Sequence, residues 1–299
     1  MSTGATLPLE AQLTVPPGVR VSHRRSRRRP LGAMLFEAQM TDVASFDFLG
    51  GSVAIFTTRS PHKETPNEDV AALWPIGQTS GVLAVADGLG GHAGGERASR
   101  LATEALQKSL QAAPPAADGE PTDLRAAILD GIEAANQSVR DLGTGAATTM
   151  ALVEIQDRTI RPYHVGDSAI LVTGQRGKVK LQTIPHSPIG YAVEAGLMKE
   201  EEAIHHEARH VISNVIGSDQ MRIEIGAPLE MAPRDTLLIA SDGLFDNLLP
   251  DEIIEAVRSG PLEEAITGLI ETAQERMAAQ EGTAPCKPDD LTVIAYRPS

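Results

Sequence analysis

Residues 81–96 read Gly-Val-Leu-Ala-Val-Ala-Asp-Gly-Leu-Gly-Gly-His-Ala-Gly-Gly-Glu. The first six of these residues form an apolar run, which predicts a buried strand that ends at Asp87. A buried strand that delivers a carboxylate into a glycine-rich turn is one way to build a metal or phosphate site. The same arrangement returns downstream, where the apolar residues 237–241 lead directly into Asp242.

Two further carboxylates complete this pattern. Asp69 ends the tripeptide Asn-Glu-Asp at 67–69, and Asp289 lies just before the apolar residues 291–296. These acidic positions lack the closely spaced histidines and cysteines that bind zinc. Because carboxylate oxygens suit hard cations, the sequence predicts a site for Mg²⁺ or Mn²⁺.

Five short motifs follow one another along the chain. They are Asn-Glu-Asp at 67–69, Ala-Asp-Gly-Leu-Gly-Gly-His at 86–92, Val-Gly-Asp-Ser at 165–168, Ser-Asp-Gly-Leu-Phe-Asp at 241–246 and Asp-Asp-Leu-Thr-Val at 289–293. In this order they resemble the metal-dependent protein serine/threonine phosphatases of type 2C, in particular the bacterial members. The resemblance covers roughly residues 50 to 297, nearly the whole chain after its N-terminal tail.

The resemblance implies a dinuclear metal centre with a role for each principal carboxylate. Asp87 is expected to bridge both ions, with the carbonyl of Gly88 on one of them, and Asp242 and Asp289 are expected to complete the other. Two such ions polarise phosphoryl oxygens and lower the pKa of a shared water. The implied nucleophile is therefore a metal-bridged hydroxide, and no covalent phosphoenzyme is needed.

Other acidic positions leave alternatives open. Asp69 is expected to bind an ion directly or through water, and Glu68 is its stand-in. Asp167 matches a family position associated with a weaker third ion, while a turn aspartate that caps the next loop fits the spacing equally well. Asp290 stands where the family usually has asparagine. Asp289 is the favoured ligand, because its neighbour then supports the coordinating residue from outside.

Two positions depart from the family pattern. Some members have a histidine two residues after the bridging aspartate, where this chain has Leu89. His92 is the nearest candidate general acid, and hydrogen bonding within its turn is the alternative. The family arginine just before Asn-Glu-Asp is also missing. Arg59 is the better candidate for a bidentate phosphate clamp, Lys63 is the second candidate, and a solvated surface position is the alternative for both.

Several further residues have simpler explanations. Asp246 is interpreted as a helix-turn cap rather than a ligand. The histidines at 205, 206 and 210 have near-helical spacing, but no fourth ligand accompanies them, which favours a solvated helix face over a zinc site. Cys286 lies three residues before the predicted ligand at 289. Oxidation there would report on the metal site, although most lone cysteines have no such role.

Composition predicts one large domain. Of the 299 residues, 41% are hydrophobic and only 3% are aromatic, so the core depends on aliphatic side chains. The net charge is −14, yet residues 1–33 contain six arginines and one glutamate, so the remainder is strongly acidic. An acidic body suits divalent cations and disfavours nucleic acid as a partner. We expect an Arg-rich, disordered tail at 1–45 and a catalytic domain at 46–299.

Targeting features point to the cytoplasm. The single cysteine rules out an internal disulfide and fits a reducing compartment. No run of about 18 apolar residues is present, so no membrane span is expected. Glu37 interrupts the short apolar segment 31–36 before it reaches the length of a signal-peptide core.

Residue patterns predict strands, then two helices, then strands again, which is not the alternation of a parallel sheet. We expect an α+β fold, a four-layer αββα sandwich of two mainly antiparallel sheets flanked by helices, as the family resemblance also implies. The first three strands are expected to form a meander. The predicted strands are 53–58, 71–75, 81–86, 146–153, 158–166, 169–173, 237–241 and 291–296; the predicted helices are 94–112, 122–142 and those within 250–280.

A long polar segment at 186–220 separates two groups of strands. A segment of this length between sheets is more often functional than a simple connection, and the resemblance implies a flap beside the active site. The sequence as a whole predicts a phosphatase for phosphoserine and phosphothreonine in proteins that opposes a protein kinase. The alternatives are a catalytically silent phosphoprotein-binding module of the same fold and a dinuclear hydrolase of small phosphorylated metabolites.

Overall fold

Two stacked antiparallel sheets occupy the centre of the computed structural model, which describes residues 32–89, 94–113, 123–279 and 286–299. In chain order the strands are β1 (Ala33–Phe36), β2 (Ala44–Phe48), β3 (Gly51–Thr58), β4 (Val70–Pro75), β5 (Ser80–Ala86), β6 (Gly88–Leu89), β7 (Ala147–Thr148), β8 (Met150–Gln156), β9 (Thr159–Val165), β10 (Ala169–Thr173), β11 (Val179–Gln182), β12 (Glu224–Ile225), β13 (Leu229–Glu230), β14 (Thr236–Ala240) and β15 (Leu291–Pro298). The helices are α1 (Gly95–Ala112), α2 (Leu124–Arg140), α3 (Pro188–Glu194), α4 (Glu200–Ala203), α5 (Asp242–Phe245), α6 (Pro250–Val257) and α7 (Leu262–Ala278).

The order of strands places the ends of distant segments side by side. The first sheet runs β1-β4-β5-β8-β9-β12, with β13 also paired to β9, and the second runs β11-β10-β14-β15-β3-β2. A short ribbon of β6 and β7 stands apart. All the strand pairs in both large sheets are antiparallel among the described residues. β5 and β14, the two strands that end just before predicted ligands, therefore belong to opposite sheets.

Alternation along the strands produces the four layers. In β5, Val82 and Ala84 belong to the apolar cluster shared with α1 and α2, while Leu83 and Val85 belong to the cluster between the sheets. Successive side chains of a strand point to opposite faces, so a strand that is apolar on both faces must be covered on both. Helices α1 and α2 cover the first sheet, and α6 and α7 cover the second. The predicted αββα sandwich is confirmed.

Helix α1 forms where the sequence places small and apolar residues on one face. Ala98, Ala102, Leu106 and Leu110 recur at four-residue spacing and are all buried. Helix α2 begins after Asp123, whose carboxylate accepts a hydrogen bond from the N–H of Arg125 at 3.0 Å. Such a cap satisfies one of the free N–H groups at a helix start. A fully buried Leu contributes about 1.5–3 kcal/mol to folding, so packing stabilises α1 more than helix propensity does.

The predicted meander is wrong in its first strand. β4 and β5 pair in the first sheet, but β3 pairs with β15 and β2 in the second. An apolar run identifies a strand without identifying its partner, because pairing depends on residues far away in the sequence. The chain crosses from one sheet to the other through residues 59–69, and this crossing carries the Asn-Glu-Asp motif.

The predicted N-terminal tail is too long. β1 pairs with β4 from Ala33↔Leu73 to Phe36↔Val70, and Met34 is buried, so residues within the predicted tail complete the first sheet. β2, which starts at Ala44, completes the edge of the second sheet. A four-residue strand next to an Arg-rich segment has too little local pattern to be recognised. Residues 1–31 lie outside the described residues. Within the described ranges, none of the helices combines the length and apolarity that a membrane crossing needs.

Candidate metal centre

Asp87 follows directly after β5, and two threonines hold its backbone. Its N–H donates to Thr149 Oγ1 at 3.1 Å, and its carbonyl accepts from the N–H of Thr149 at 2.8 Å and from Thr148 Oγ1 at 2.7 Å. Gly88 then pairs with Thr148 in the β6–β7 ribbon. Because both polar groups of the Asp87 main chain are satisfied, the start of this turn is fixed and the carboxylate is left for another partner.

Two glycines allow the turn after Asp87 to meet the start of α1. A Cβ atom on Gly88 would lie 2.2 Å from the carbonyl oxygen of Gly95 and 2.8 Å from that of Glu68, and one on Gly95 would lie 2.7 Å from the carbonyl oxygen of Gly88. Real side chains do not tolerate such contacts, so glycine is needed at both positions. The close approach brings the Asn-Glu-Asp loop, the Asp87 turn and α1 to one place.

Asp69 is fixed from two directions. Its N–H donates to Asn67 Oδ1 at 2.9 Å, and its Oδ2 accepts from Ser241 Oγ at 2.8 Å. The amide of Asn67 is itself anchored to the carbonyl of Ala38 and to Thr57 Oγ1, both at 2.9 Å. Asp69 thus has a defined position next to the end of β14. This explains in physical terms why asparagine precedes it by two residues.

Asp242 and Asp289 come together because their strands are neighbours. β14 pairs with β15, with Ala240 opposite Val293, so the residue after β14 and the residues before β15 lie at the same edge of the second sheet. Gly243 makes this approach possible, since a Cβ there would lie 2.0 Å from the carbonyl oxygen of Asp290. The prediction that these two acids share a site fits this geometry.

Lys287, which the sequence reasoning missed, lies among three of these carboxylates. Its Nζ is 2.6 Å from Asp242 Oδ2, 2.7 Å from Asp246 Oδ2 and 3.1 Å from Asp289 Oδ2. Burial lowers the pKa of Lys287, but the three aspartates raise it more, so the net pKa lies above its ordinary value. Asp246 is the C-cap of α5, as expected, and its side chain also binds this lysine. A lone lysine in a loop gives no sequence signal for such a position.

Asp290 has a different role from Asp289. Its carboxylate accepts from the N–H of Ser60 at 2.7 Å, from the N–H of Glu68 at 2.7 Å and from Lys63 Nζ at 2.6 Å. Both oxygens are therefore occupied by the loop that carries the Asn-Glu-Asp motif. This arrangement supports the choice of Asp289 as the ligand and of its neighbour as the residue that braces the site.

The clustered carboxylates of this site repel one another electrostatically. Burial raises the pKa of Asp87 well above its usual range, and the charges of Asp69, Asp242, Asp289 and Asp167 raise it further. Burial followed by the charge of Asp290 does the same for Asp69. Burial and then Asp242 raise the pKa of Asp289 to about 7, against the opposing effect of Lys287. Carboxylates this close require a counter-charge to ionise together.

Two buried oxygens indicate what that counter-charge would be. Asp69 Oδ1 and Asp167 Oδ1 are buried and have no hydrogen-bond partner among the described residues. Buried polar atoms almost always have partners, so an orphaned carboxylate oxygen in a cluster of acids suits a bound cation. The donor set contains only oxygen, which fits Mg²⁺ or Mn²⁺ and not zinc. The predicted ligands at 69, 87, 167, 242 and 289 therefore have the chemistry that such ions need.

The candidates for phosphate capture differ in their availability. Lys63 Nζ is bound to Asp290 and, at 2.7 Å, to Glu68 Oε2, so its charge is already neutralised. Glu68, the proposed stand-in for Asp69, is occupied by the same ion pair. Arg59 makes no hydrogen bond or ion pair with any described residue. It directly precedes Ser60, whose N–H binds Asp290, and this contact keeps the Arg59 main chain near the site.

Helices α3 and α4 and a 3-10 turn at Glu207–His210 form the predicted flap. A cavity of about 300 Å³ separates the flap from α5. Its lining includes Asp167, Asp242 and Asp246 together with the flap residues Ile189 and Arg209. The Nε atom of Arg209 lies 3.9 Å from Asp246 Oδ2, and its guanidinium also donates to the carbonyl of Ile204. Arg209, which was not predicted from the sequence, brings a flap cation to the acidic wall.

His186 ties both ends of the flap to the loop that carries Asp167. Its main-chain N–H donates to the carbonyl of Gly166 at 2.8 Å, and its Nδ1 accepts from the N–H of Gly166 at 3.0 Å. The amide of Asn214, at the far end of the flap, lies 2.9 Å from the same Nδ1. Nε2 therefore carries the proton and donates to Glu224 Oε2 at 3.0 Å. Although His164 stacks against this ring, the tautomer of His186 makes the trio of His164, His186 and Glu224 a poor metal site.

Because His164 is buried next to His186, where the flap begins, we expect acid to destabilise the protein at this position. Both ring nitrogens are buried without a hydrogen-bond partner in the described part of the chain. Burial and the neighbouring His186 lower the pKa of His164 from 6.5 to about 3. A depressed folded-state pKa contributes stability that is complete above pH 6.5 and is lost as pH falls toward about 3. His164→Leu should therefore flatten the loss of unfolding free energy between about pH 7 and about pH 5 in urea titrations. His205→Leu is an exposed control. If His164→Leu lost as much unfolding free energy over this pH range as His205→Leu, this account would be contradicted.

We expect that position 243 requires glycine, because it lies at the edge of the second sheet where Asp242 and Asp289 meet. Because the added methyl of Gly243→Ala would overlap the carbonyl of Asp290, we expect a loss of about 1–3 kcal/mol in unfolding free energy and weaker metal binding. Gly268→Ala is the matched control, since nothing lies within 4 Å of its added Cβ in helix α7. That variant should gain about 0.5–1 kcal/mol from helix propensity. Chemical denaturation measures the unfolding free energies of Gly243→Ala and Gly268→Ala. Equal values for the two variants would refute the steric requirement.

The remaining predicted residues are the histidines at 92, 205, 206 and 210 and the cysteine at 286. His92 lies outside the described residues, so its candidacy as general acid rests on the sequence alone. His205, His206 and His210 are exposed, and His206 Nδ1 accepts from the N–H of Ala208 at 3.1 Å. Cys286 is half-buried, and its thiol lies 3.1 Å from the carbonyl of Ala279.

Comparison with known proteins gives a consistent result. Residues 58–281 match the family model described as protein phosphatase 2C. Protein phosphatase PhpP of Streptococcus pneumoniae is 29% identical over 219 residues, which cover 71% of this chain and 87% of PhpP. The crystal structure of the Mycobacterium tuberculosis serine/threonine phosphatase PstP/Ppp is similar with a TM-score of 0.66 and 26% identity, covering 83% of this chain and 98% of that one.

A second similar structure contains metal. The catalytic domain of the serine/threonine protein phosphatase PstP in complex with two manganese ions has a TM-score of 0.64 and 26% identity to this chain. The similarity covers 82% of this chain and 96% of the PstP domain.

Proposed function

The chain belongs to the protein phosphatase 2C family, and from this premise we propose that it hydrolyses phosphoserine and phosphothreonine in proteins at a two-ion Mg²⁺ or Mn²⁺ centre. Relatives named serine/threonine phosphatases support an enzyme of this class over a silent binding module. The observation that carries the proposal is the cluster of carboxylates around Asp87, in which Asp69 and Asp167 are buried and each has an orphaned oxygen.

In this proposal Asp87 would serve both ions, and the Gly88 carbonyl would serve one of them. Asp242 and Asp289 would complete the other, and Asp69 would bind an ion directly or through water. When bound, the ions supply charge that neutralises phosphoryl oxygens and lowers the pKa of water. The chain supplies preorganisation, because Thr148 and Thr149 fix the backbone of Asp87 and Ser241 orients Asp69 before any ion arrives. Asp167 is assigned to a third, weaker ion.

Phosphate capture is assigned to arginine. Arg59 makes no hydrogen bond or ion pair with another described residue, whereas Lys63 is held by Asp290 and Glu68. A guanidinium also matches two phosphate oxygens at once, which an ammonium does not. Arg209 on the flap is a second guanidinium beside the cavity. The proton for the leaving alkoxide is assigned to His92, on the basis of its place in the glycine-rich stretch of sequence after Asp87.

The substrate is proposed to be a phosphorylated protein that a serine/threonine kinase has modified. The cavity between the flap and α5 joins an acidic wall at Asp242 and Asp246 to an apolar wall that includes Ile189 and Phe245. Such a surface suits a peptide segment next to the phosphorylated residue more than a small, fully charged metabolite. The single cysteine suits a reducing compartment, and we assign the activity to the cytoplasm.

Release of inorganic phosphate tests this function directly. Purified protein should release phosphate from phosphoserine and phosphothreonine peptides with Mn²⁺ or Mg²⁺, and should release none in EDTA. A phosphotyrosine peptide and small phosphorylated metabolites serve as comparison substrates and should be poor ones. Equal turnover in EDTA would contradict the metal centre, and faster turnover of the metabolites would contradict the protein substrate.

A further inference from the structure

Lys287 makes an unusually complete set of ionic contacts. An ammonium group has three N–H donors, and the three aspartates at 2.6, 2.7 and 3.1 Å provide one acceptor oxygen for each. The lysine side chain is 21% exposed, so the contacts are partly shielded from water. Among the described residues, neither Asp242 nor Asp289 has another ion-pair partner. Lys287 is therefore the charge that compensates these two carboxylates in this structure.

The three partners do not have the same role in the proposed function. Asp242 and Asp289 are assigned to one metal ion, while Asp246 is assigned to none. An ammonium and a divalent cation that contact the same carboxylate oxygens would repel each other strongly at this range. Asp246 Oδ2 also lies 3.9 Å from the guanidinium of Arg209, so it belongs to the flap side of the cluster. The contacts of Lys287 thus extend from the metal ligands to a carboxylate outside the metal set.

We propose that Lys287 is a resident counter-cation, which holds Asp242 and Asp289 together in the metal-free enzyme and withdraws to Asp246 when a divalent ion takes its place. This inference rests on the proposed metal centre and adds a residue that sets its affinity. The lysine stabilises the carboxylate cluster, and for the same reason it competes with the ion. Asp246 gives the displaced ammonium a partner, so the charge does not have to move to solvent.

Two opposite effects follow from removing the lysine. Without it, Asp242, Asp246 and Asp289 repel each other uncompensated, so the metal-free protein loses stability. The same repulsion makes the site a better ligand for a divalent cation, because the ion no longer displaces a resident charge. A residue with a purely structural role would instead weaken folding and metal binding together.

Mn²⁺ binding isotherms, followed by the electron paramagnetic resonance signal of free Mn²⁺, test the proposal. Lys287→Met should bind at least one Mn²⁺ ion roughly tenfold more tightly than wild type. In EDTA its Tm should be a few degrees lower. Lys287→Gln removes the charge but keeps polar contacts, so it should show the same gain in affinity with a smaller loss of Tm.

Lys180→Met is the matched control. Lys180 Nζ lies 2.5 Å from Asp235 Oδ2, and the two lysine side chains are similarly exposed, at 26% and 21%. This variant should lose stability without a change in the Mn²⁺ isotherm. Unchanged or weaker Mn²⁺ binding in both Lys287 variants, with wild type binding two ions, would overturn the role of Lys287 alone. No Mn²⁺ binding by wild type would instead overturn the proposed metal centre.

Discussion

Asp87→Asn is expected to lower Mn²⁺-dependent hydrolysis of p-nitrophenyl phosphate by roughly 10²–10³-fold or more, the scale set by removing one preorganised electrostatic group. Asp87 is the carboxylate whose charge interacts with Asp69, Asp242, Asp289 and Asp167, so it stands at the centre of the cluster. An amide cannot bridge two cations as a carboxylate does, because it lacks the charge and has only one oxygen. Asp242→Asn should cause a loss of similar size.

The thermal stability of Asp87→Asn in EDTA should rise, although its activity falls. Burial and four neighbouring carboxylates raise the pKa of Asp87, so its ionised form destabilises the metal-free fold at neutral pH. In EDTA, Asp87→Asn should therefore unfold at a higher temperature than wild type, while Mn²⁺ should stabilise it less. Asp47→Asn, on the exposed part of β2, is the matched control and should alter neither activity nor Tm. An Asp87 variant that keeps full Mn²⁺-dependent activity would eliminate the assignment.

Asp290→Ala is expected to destabilise the protein by about 3–5 kcal/mol. Its carboxylate binds Ser60 and Glu68 through their N–H groups and Lys63 through its ammonium. Removing it leaves two main-chain donors and one cation without their acceptor. Because the same loop carries Asp69, activity should fall as well, although Asp290 touches neither ion in the proposed site.

Asp290→Asn separates the shape of this residue from its charge. Asparagine keeps the volume but can accept with only one oxygen, so one of the donors then faces an NH₂ group. The expected loss is about 1–2 kcal/mol, between wild type and alanine. Urea denaturation in EDTA measures the stabilities without a contribution from metal binding. If alanine and asparagine were equally well tolerated, the hydrogen bonds of Asp290 would not be what braces the loop.

The local sequence pattern was sufficient to predict secondary structure wherever a segment has a clear hydrophobic periodicity. The buried strand before Asp87, the helix of Ala98 and Leu106, and the strand before Asp242 are predicted from their apolar spacing and are found in the structure. Pairing was not predictable in the same way. β3 has the composition of a strand, but only its match with β15 places it in the second sheet.

Residues that act through distant partners were also missed. Lys287 lies in a loop and Arg209 in a short 3-10 turn, and cations in such segments are usually solvated. Their positions become meaningful only when β14 and β15 bring Asp242 and Asp289 together and the flap folds over α5. Conversely, Lys63 has a charge suitable for phosphate capture and lies near the Asn-Glu-Asp motif, but its ammonium is bound to the buried carboxylate of Asp290. Charge and proximity in sequence do not reveal this competition.

The pairing of β3 with β15 has a consequence for the order of folding. Residues 51–58 lie opposite 291–298, so the intervening chain must be closed before this ladder forms. Asp69 follows β3, and Asp289 precedes β15, so these carboxylates meet only after that closure. Ions that recognise the finished site and not its separate parts would then arrive late, and would slow unfolding without accelerating folding. Metal would give the enzyme a longer native lifetime, and the chain alone would set how fast it reaches the native state.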